Sequence, residues 1–343
     1  MAYISFQPND YFNTKLYTGT GSSNAITGVG FQPDFCWVKQ RSGTENHFLN
    51  NAIQGSTKVL QSDTNAAEQT SSNGMTAFGT DGFTVNTDTG FNGNGSTYVS
   101  WNWKANGAGS ANTDGSINTT ATSANTTSGF SISKYTGTGS NATVGHGLGA
   151  VPKVVLVKGI GHTSQWYMYH IGTDANGVML LDGTAAKTTD TVSWQNTTPT
   201  SSVFSIGNDG GTNGSGNTYI AYCFAEKTGF SKFGSYTGNG NADGPFVYTG
   251  FKPSYINLKR TDNTGHWIMK DWQTPGYNQN DYYLWSDASD AETSASSLGI
   301  DFLSNGFKLK GTAGNSNADG GTFIYMAFGQ PIVSTNGDIA TAR

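Results

Sequence analysis

Five histidines, two cysteines and 23 acidic residues are the side chains from which this 343-residue chain could build catalysis or a metal site. His47, His146, His162, His170 and His266 form no HExxH pair or other close ligand spacing. His162 and His170 flank an aromatic strand-like run, which favours packing over ligation. Cys36 and Cys223 each sit inside an apolar run, and two isolated thiols supply neither a disulfide framework nor a zinc shell. They are expected to be buried and free. Paired carboxylates can cleave glycosides, but no Asp or Glu is seen to recur where a shared active site would need it. Oxygen-rich segments at 86–90, 208–211 and 315–320 carry the atoms that Ca²⁺ prefers, yet lack the regular Asp-x-Asp-x-Asp-Gly spacing. Turn chemistry is expected there, with no cofactor indicated and no enzyme activity.

Binding chemistry is better represented. Residues 267–285 hold Trp267, Trp272, Tyr277, Tyr282, Tyr283 and Trp285, and aromatic faces stack on sugar rings and on other proteins. Trp267 matches Trp166 at a strand position, and Tyr283–Trp285 is aligned with residues 180–182, so these are expected to pack. Trp272 and Tyr277 lie in a longer loop, 271–281. A loop that differs where the scaffold repeats is a natural place for specificity, and these two are the candidate ligand-binding residues.

The elements that position them are strands. Charged residues make up 12% of the chain, Gly fills 47 positions and aromatics reach 13%. Such a composition is poor in helix formers and rich enough in large apolar side chains for several cores. Net charge is −5 with no Lys/Arg cluster, which argues against nucleic acid. No apolar run approaches a membrane span, so no membrane insertion is expected, and the first ten residues lack a secretory pattern. Production without export is the expectation.

Four motifs recur in one order. Tyr-Thr-Gly appears at 17–19, 135–137 and 236–238; Pro-x5-Lys runs from Pro33, Pro152 and Pro253 to Lys39, Lys158 and Lys259. Phe83, Phe204 and Phe307 centre the third motif, and an aromatic strand closes each copy near 98–103, 219–224 and 323–328. Internal repetition of this kind marks tandem units. The expected architecture is all-β, with a sandwich or barrel in each of three domains at 1–107, 108–227 and 228–343. Alternation assigns Cys36/Val38, Val155/Val157 and Ile256/Leu258 to the cores. Residues 105–113 read as a flexible linker, and 114–128 as a Thr-rich first strand of copy two. The face of Phe35 and Trp37, polar at Asn257 in copy three, is a possible subunit contact.

The segments at 17–21, 30–41, 98–104, 114–120 and 129–149 resemble a repeat domain of marine tailed-phage virion proteins, commonly labelled tail fibre or tail-associated. The resemblance covers copies one and two, while copy three departs at Asn257 and in 271–281. It implies three tandem lectin-like, jelly-roll-like β-sandwich domains, a virion location, other virion proteins as partners, a host-surface glycan or envelope receptor, and a homo-oligomer, with a trimer expected. A head-decoration or collar role is the alternative, and a glycan hydrolase the third reading. No catalytic residue is transferred by it.

Overall fold

The computed structural model describes residues 6–330, which form antiparallel sheets joined by short turns and one-turn helices. The fold is all-β. Each copy builds a main sheet whose strands lie in the order opening, closing, second, third. In copy one these are Phe12–Thr18, Thr97–Trp103, Phe35–Gln40 and Phe48–Asn51. In copy two they are Phe130–Thr136, Thr218–Ala225, Pro152–Gly159 and Trp166–His170. In copy three they are Ser231–Thr237, Thr322–Gly329, Pro253–Arg260 and Ile268–Asp271. The third motif forms an outer strand, Gly82–Val85, Val203–Ile206 or Gly306–Leu309, which pairs with Asn24–Thr27, Ala142–Gly145 or Phe246–Tyr248.

The Tyr-Thr-Gly motif locks this arrangement. Tyr17, Tyr135 and Tyr236 stack on Tyr98, Tyr219 and Phe323 of the closing strands at 5.0, 5.4 and 5.0 Å. Their hydroxyls donate to the carbonyls of Phe91, Thr212 and Ser316. The glycine has a steric reason: a Cβ at Gly19, Gly137 or Gly238 would collide with the carbonyl of Gly93, Gly214 or Ala318. Buried Asn92, Asn213 and Asn317 then bind the backbone just after each motif.

Each main sheet is buried on both faces. One face packs on its own outer strands through the pairs expected from alternation: Cys36/Val38, Val155/Val157 and Ile256/Leu258. The other face meets the remaining copies. Phe35, Trp37, Trp101 and Trp103 join Val154, Leu156, Tyr222 and Phe224, and Tyr255, Met326 and Phe328, in one shared core. A strand covered on both sides has no solvent face to mark by polarity. That is why Ser100, Asn102, Ala221 and Ala327, the small or polar residues of the closing strands, are also buried.

The three copies close into a ring with equivalent contacts at each junction. Ser164 N donates to Asn65 O, Gly265 N to Thr184 O and Glu45 N to Ser289 O. A second set links Glu68 N to Ile160 O, Lys187 N to Thr261 O and Glu292 N to Arg41 O. Named strand pairings stay within a copy, so these junctions rest on side-chain packing, side-chain hydrogen bonds and single backbone bonds.

Three expectations need correction. The Phe35/Trp37 face is covered by the chain itself, with Phe35 4.7 Å from the Tyr222 ring, so it is not a free subunit contact. Residues 105–107 are no flexible linker: buried Asp34 accepts Ala105 N at 2.7 Å and Gly107 N at 3.1 Å. The Thr-rich segment is a strand only over Ala121–Asn125, added outside the opening strand of copy two, with Ile117 ahead of it bridged to Val144.

Candidate functional site

The side chains with chemical potential are mostly committed to holding the ring. Lys39, Lys158 and Lys259 of the Pro-x5-Lys motif are fully buried, and burial pushes each ammonium down to about 8. Their Nζ atoms donate to backbone carbonyls: Gln40 and Ser289 for Lys39, Ser164 for Lys158, Thr184 and Gly265 for Lys259. A carboxylate does recur, in a structural position. Asp63, Asp182 and Asp287 accept the backbone N–H of His47, Trp166 and Trp267, where the third strand begins. Burial raises all three, Asp63 to about 6. The signal was an apolar residue three positions before each Asp: Leu60, Met179 and Leu284, all in the shared core.

A second equivalent set ends the third strands. Asn51, His170 and Asp271 lie opposite Phe35, Val154 and Tyr255, and each reaches into the next copy. Asn51 Nδ2 donates to Tyr222 Oη at 2.9 Å, and His170 Nε2 lies 3.1 Å from Tyr325 O. Asp271 Oδ2 accepts from Trp101 Nε1 at 2.8 Å and Thr14 Oγ1 at 2.6 Å. Burial pushes Asp271 up to about 6 and His170 down to about 4.

These shifts act in opposite senses on stability. Asp271, with its folded pKa raised, contributes fully below the ordinary carboxylate range and loses that contribution as pH rises through about 6. His170, with its folded pKa depressed, contributes above the ordinary imidazole range and loses it as pH falls through about 4. Asp271→Asn removes the first effect alone. Relative to wild type, the variant should therefore gain about 2 kcal/mol more at pH 7 than at pH 4. Thermal melts at both pH values test this; an equal offset at the two would mean Asp271 ionises freely in the fold.

The loops offered to Ca²⁺ perform capping. Asp88 Oδ1 accepts Gly90 N at 2.9 Å and Asp209 Oδ1 accepts Gly211 N at 2.6 Å, each opening a one-turn helix, while copy three has Ala313 at that place. Cys36 and Cys223 are buried free thiols.

Copy three differs at its surface. Tyr277 is 61% exposed, as its loop position suggested. Trp272 is not an open loop residue: it is half-buried, its ring lies edge-on to Phe302 at 6.0 Å, and Lys252 Nζ sits 3.7 Å from its centroid. Trp267 is buried, and Tyr283 and Trp285 are partly buried. Strand register pairs Ile268 with Trp285 and Tyr167 with Leu180. Tyr283–Trp285 thus corresponds to residues 178–180 rather than 180–182. Two exposed aromatics were missed. Phe246 and Tyr248, 44% and 63% exposed, stand on the outward face of their strand, because Val247 between them pairs with Phe307 in the core. The equivalent residues are Ala25 and Thr27 in copy one and Thr143 and Gly145 in copy two. The signal was Phe-Val-Tyr just before Gly250, against Ala-Ile-Thr and Thr-Val-Gly in the other copies.

One family model, described as a domain of unknown function, DUF7483, matches residues 7–331 and so spans all three copies. The chain belongs to the DUF7483 family. No curated protein matches it. The DUF7483 match treats as one unit what the fold closes into one ring around a shared core. Among the described residues, no group of three or more His, Cys, Asp or Glu side chains is placed to hold a metal ion.

Proposed function

We propose that this chain is a virion structural protein, a tail fibre or tail-appendage component, that contacts the host surface through its third copy. The observation that supports this reading is the distribution of side chains. The recurring Lys39/Lys158/Lys259, Asp63/Asp182/Asp287 and Asn51/His170/Asp271 sets are engaged in internal contacts, whereas Phe246, Tyr248, Tyr277 and Tyr282 are exposed and all belong to copy three. The virion setting itself rests on the resemblance of copies one and two to phage repeat domains. Any self-association must use surfaces other than the Phe35/Trp37 face.

Antibody labelling of purified particles tests the location. Label at the tail tip or fibres is the expected result, while label on the head or collar would establish the decoration reading instead. For attachment, Tyr248→Ala combined with Tyr277→Ala should weaken adsorption to host cells about tenfold, since each exposed ring contributes ~0.5–1.5 kcal/mol on stacking. Melting temperature should stay unchanged, because neither ring is buried. Unaltered adsorption would remove these residues from the contact.

A further inference from the structure

We propose that the cleft where copy three meets copy one binds a single uncharged sugar ring, the terminal residue of a glycan. This deepens the attachment reading and rests on it only for the source of the sugar. The cleft holds about 180 Å³ and is lined by Asn13 and Thr14 of copy one and by Ser254, Trp272, Gln273 and Gln330 of copy three. Its size suits one small ring and is below that of pockets for larger ligands.

The lining chemistry selects the ligand class. Among the described residues, no Lys, Arg, Asp or Glu lines the cleft itself; Lys252 sits against the Trp272 ring and Asp271 behind Thr14, where its carboxylate is taken up by internal donors, so the lining is uncharged and polar. Two primary amides, Gln273 and Gln330, offer carbonyl acceptors and N–H donors, with one N–H of Gln330 spent on Pro253 O, while Asn13, next to Thr14 on the strand, turns its Nδ2 to Val29 O. Thr14 donates its proton to buried Asp271 at 2.6 Å, which leaves the hydroxyl oxygen as an acceptor. Vicinal sugar hydroxyls each donate once and accept through the oxygen, and so match this set. The indole of Trp272, which carries Lys252 Nζ on one face at 3.7 Å from its centroid, offers its other face as a wall suited to the C–H face of a pyranose.

Ring geometry explains why the cleft lies at this junction. Ser254 corresponds to Asp34 of copy one, where the chain itself passes through and donates Ala105 N and Gly107 N to the carboxylate. Trp272 and Gln273 correspond to Ile171 and Gly172 of copy two. There the packing is tight: a Cβ on Gly172 would lie 2.9 Å from Ile324 Cγ2 and 3.2 Å from Ser235 Cβ. The third junction, which closes the ring between the chain's two ends, has an indole and amides in place of those fillers.

The test is a titration of the full-length chain, followed by NMR of the Trp272 indole N–H, assigned by its loss in Trp272→Phe. The probes are neutral hexoses and N-acetylhexosamines, their methyl glycosides as mimics of a chain end, and glucuronate as a charged comparator. At least one neutral methyl glycoside should shift the Trp272 signal with millimolar affinity, and glucuronate should not. Gln273 is exposed, so Gln273→Ala should leave melting unchanged while weakening binding about fivefold to tenfold. The proposal is overturned if no neutral glycoside perturbs Trp272 well above the millimolar range, or if Gln273→Ala binds as tightly as wild type. Binding of free sugars but not of glycosides would reject the chain-end source. The readout is independent of particle labelling. Label away from the tail would defeat the attachment reading and leave a sugar site standing, and tail label without sugar binding would do the reverse.

Discussion

Val157→Asp should abolish the cooperative folded state, and Leu258→Asp should do the same. Both side chains are fully buried in the cores between main and outer sheets. Removing either forfeits ~1.5–3 kcal/mol of apolar burial. The carboxylate brought in adds a desolvation penalty of several kcal/mol with no partner to offset it. The sum is about 5 kcal/mol or more, comparable with the whole stability of an ordinary domain. Ala25→Asp, on an exposed outer-strand position, is the control and should change stability by no more than about 0.5 kcal/mol. The shared core adds a second expectation for urea unfolding. Loss of copy two uncovers the inward faces of copies one and three, so Val157→Asp should remove the transition of the whole chain. Two transitions, with copies one and three unaffected, would show that the copies are energetically independent.

The parts of this fold legible in the sequence were those that alternation and repetition encode. The outward-facing pairs on the second strands were assigned correctly because they are apolar in all three copies and alternate with their neighbours. The inward faces were harder. At Tyr255 and Asn257 the threefold pattern breaks, and a polar residue in one copy suggests solvent. Yet Asn257 is buried, 3.3 Å from Ser286 Oγ, since a hydrogen-bonded amide can sit in a core without exposure. Alternation also cannot distinguish a strand facing water from one facing another sheet through small residues, as Ala221 and Ala327 do. Long-range closure carried no local signal at all. Asn51, His170 and Asp271 are different residue types at one equivalent position, and only strand register reveals them as one set. For the candidate site, loop length located Tyr277. It could not tell that Trp272 folds back against Phe302, because that contact joins residues 30 apart whose pairing depends on the outer sheet. Phe246 and Tyr248 were readable in principle by comparing the copies, but a three-residue strand beside a glycine-rich turn resembles the turn.

Residues 1–107 produced alone should fail to give a monomeric folded protein, and supplying residues 108–343 in the same cell should rescue them as a complex. In the intact chain the inward face of copy one presents Phe12, Phe35, Trp37, Trp101 and Trp103 to the other two copies, each at most 5% exposed. Aromatic side chains of this size bury ~150–250 Å² each. The isolated fragment would therefore carry an apolar patch well beyond the ~300–600 Å² typical of a monomer's largest. It would also lose Asp271 as acceptor for Trp101 and Thr14, and Ser289 as acceptor for Lys39, leaving polar groups without partners that the ring supplies. The expected behaviour is aggregation or self-association through the exposed face. Co-production restores every junction except the covalent link near 107, where Asp34 can still capture the Ala105 and Gly107 amides from the same fragment. Size-exclusion chromatography with light scattering should then show a one-to-one complex that melts as a unit. A soluble, monomeric, sharply melting 1–107 would mean that the shared core contributes little, and host-binding assays could then use single copies. Aggregation without rescue would point to a need for chain connectivity during folding, since each copy pairs strands from its two ends, Phe12 opposite Trp103 in copy one, and such long-range contacts form slowly.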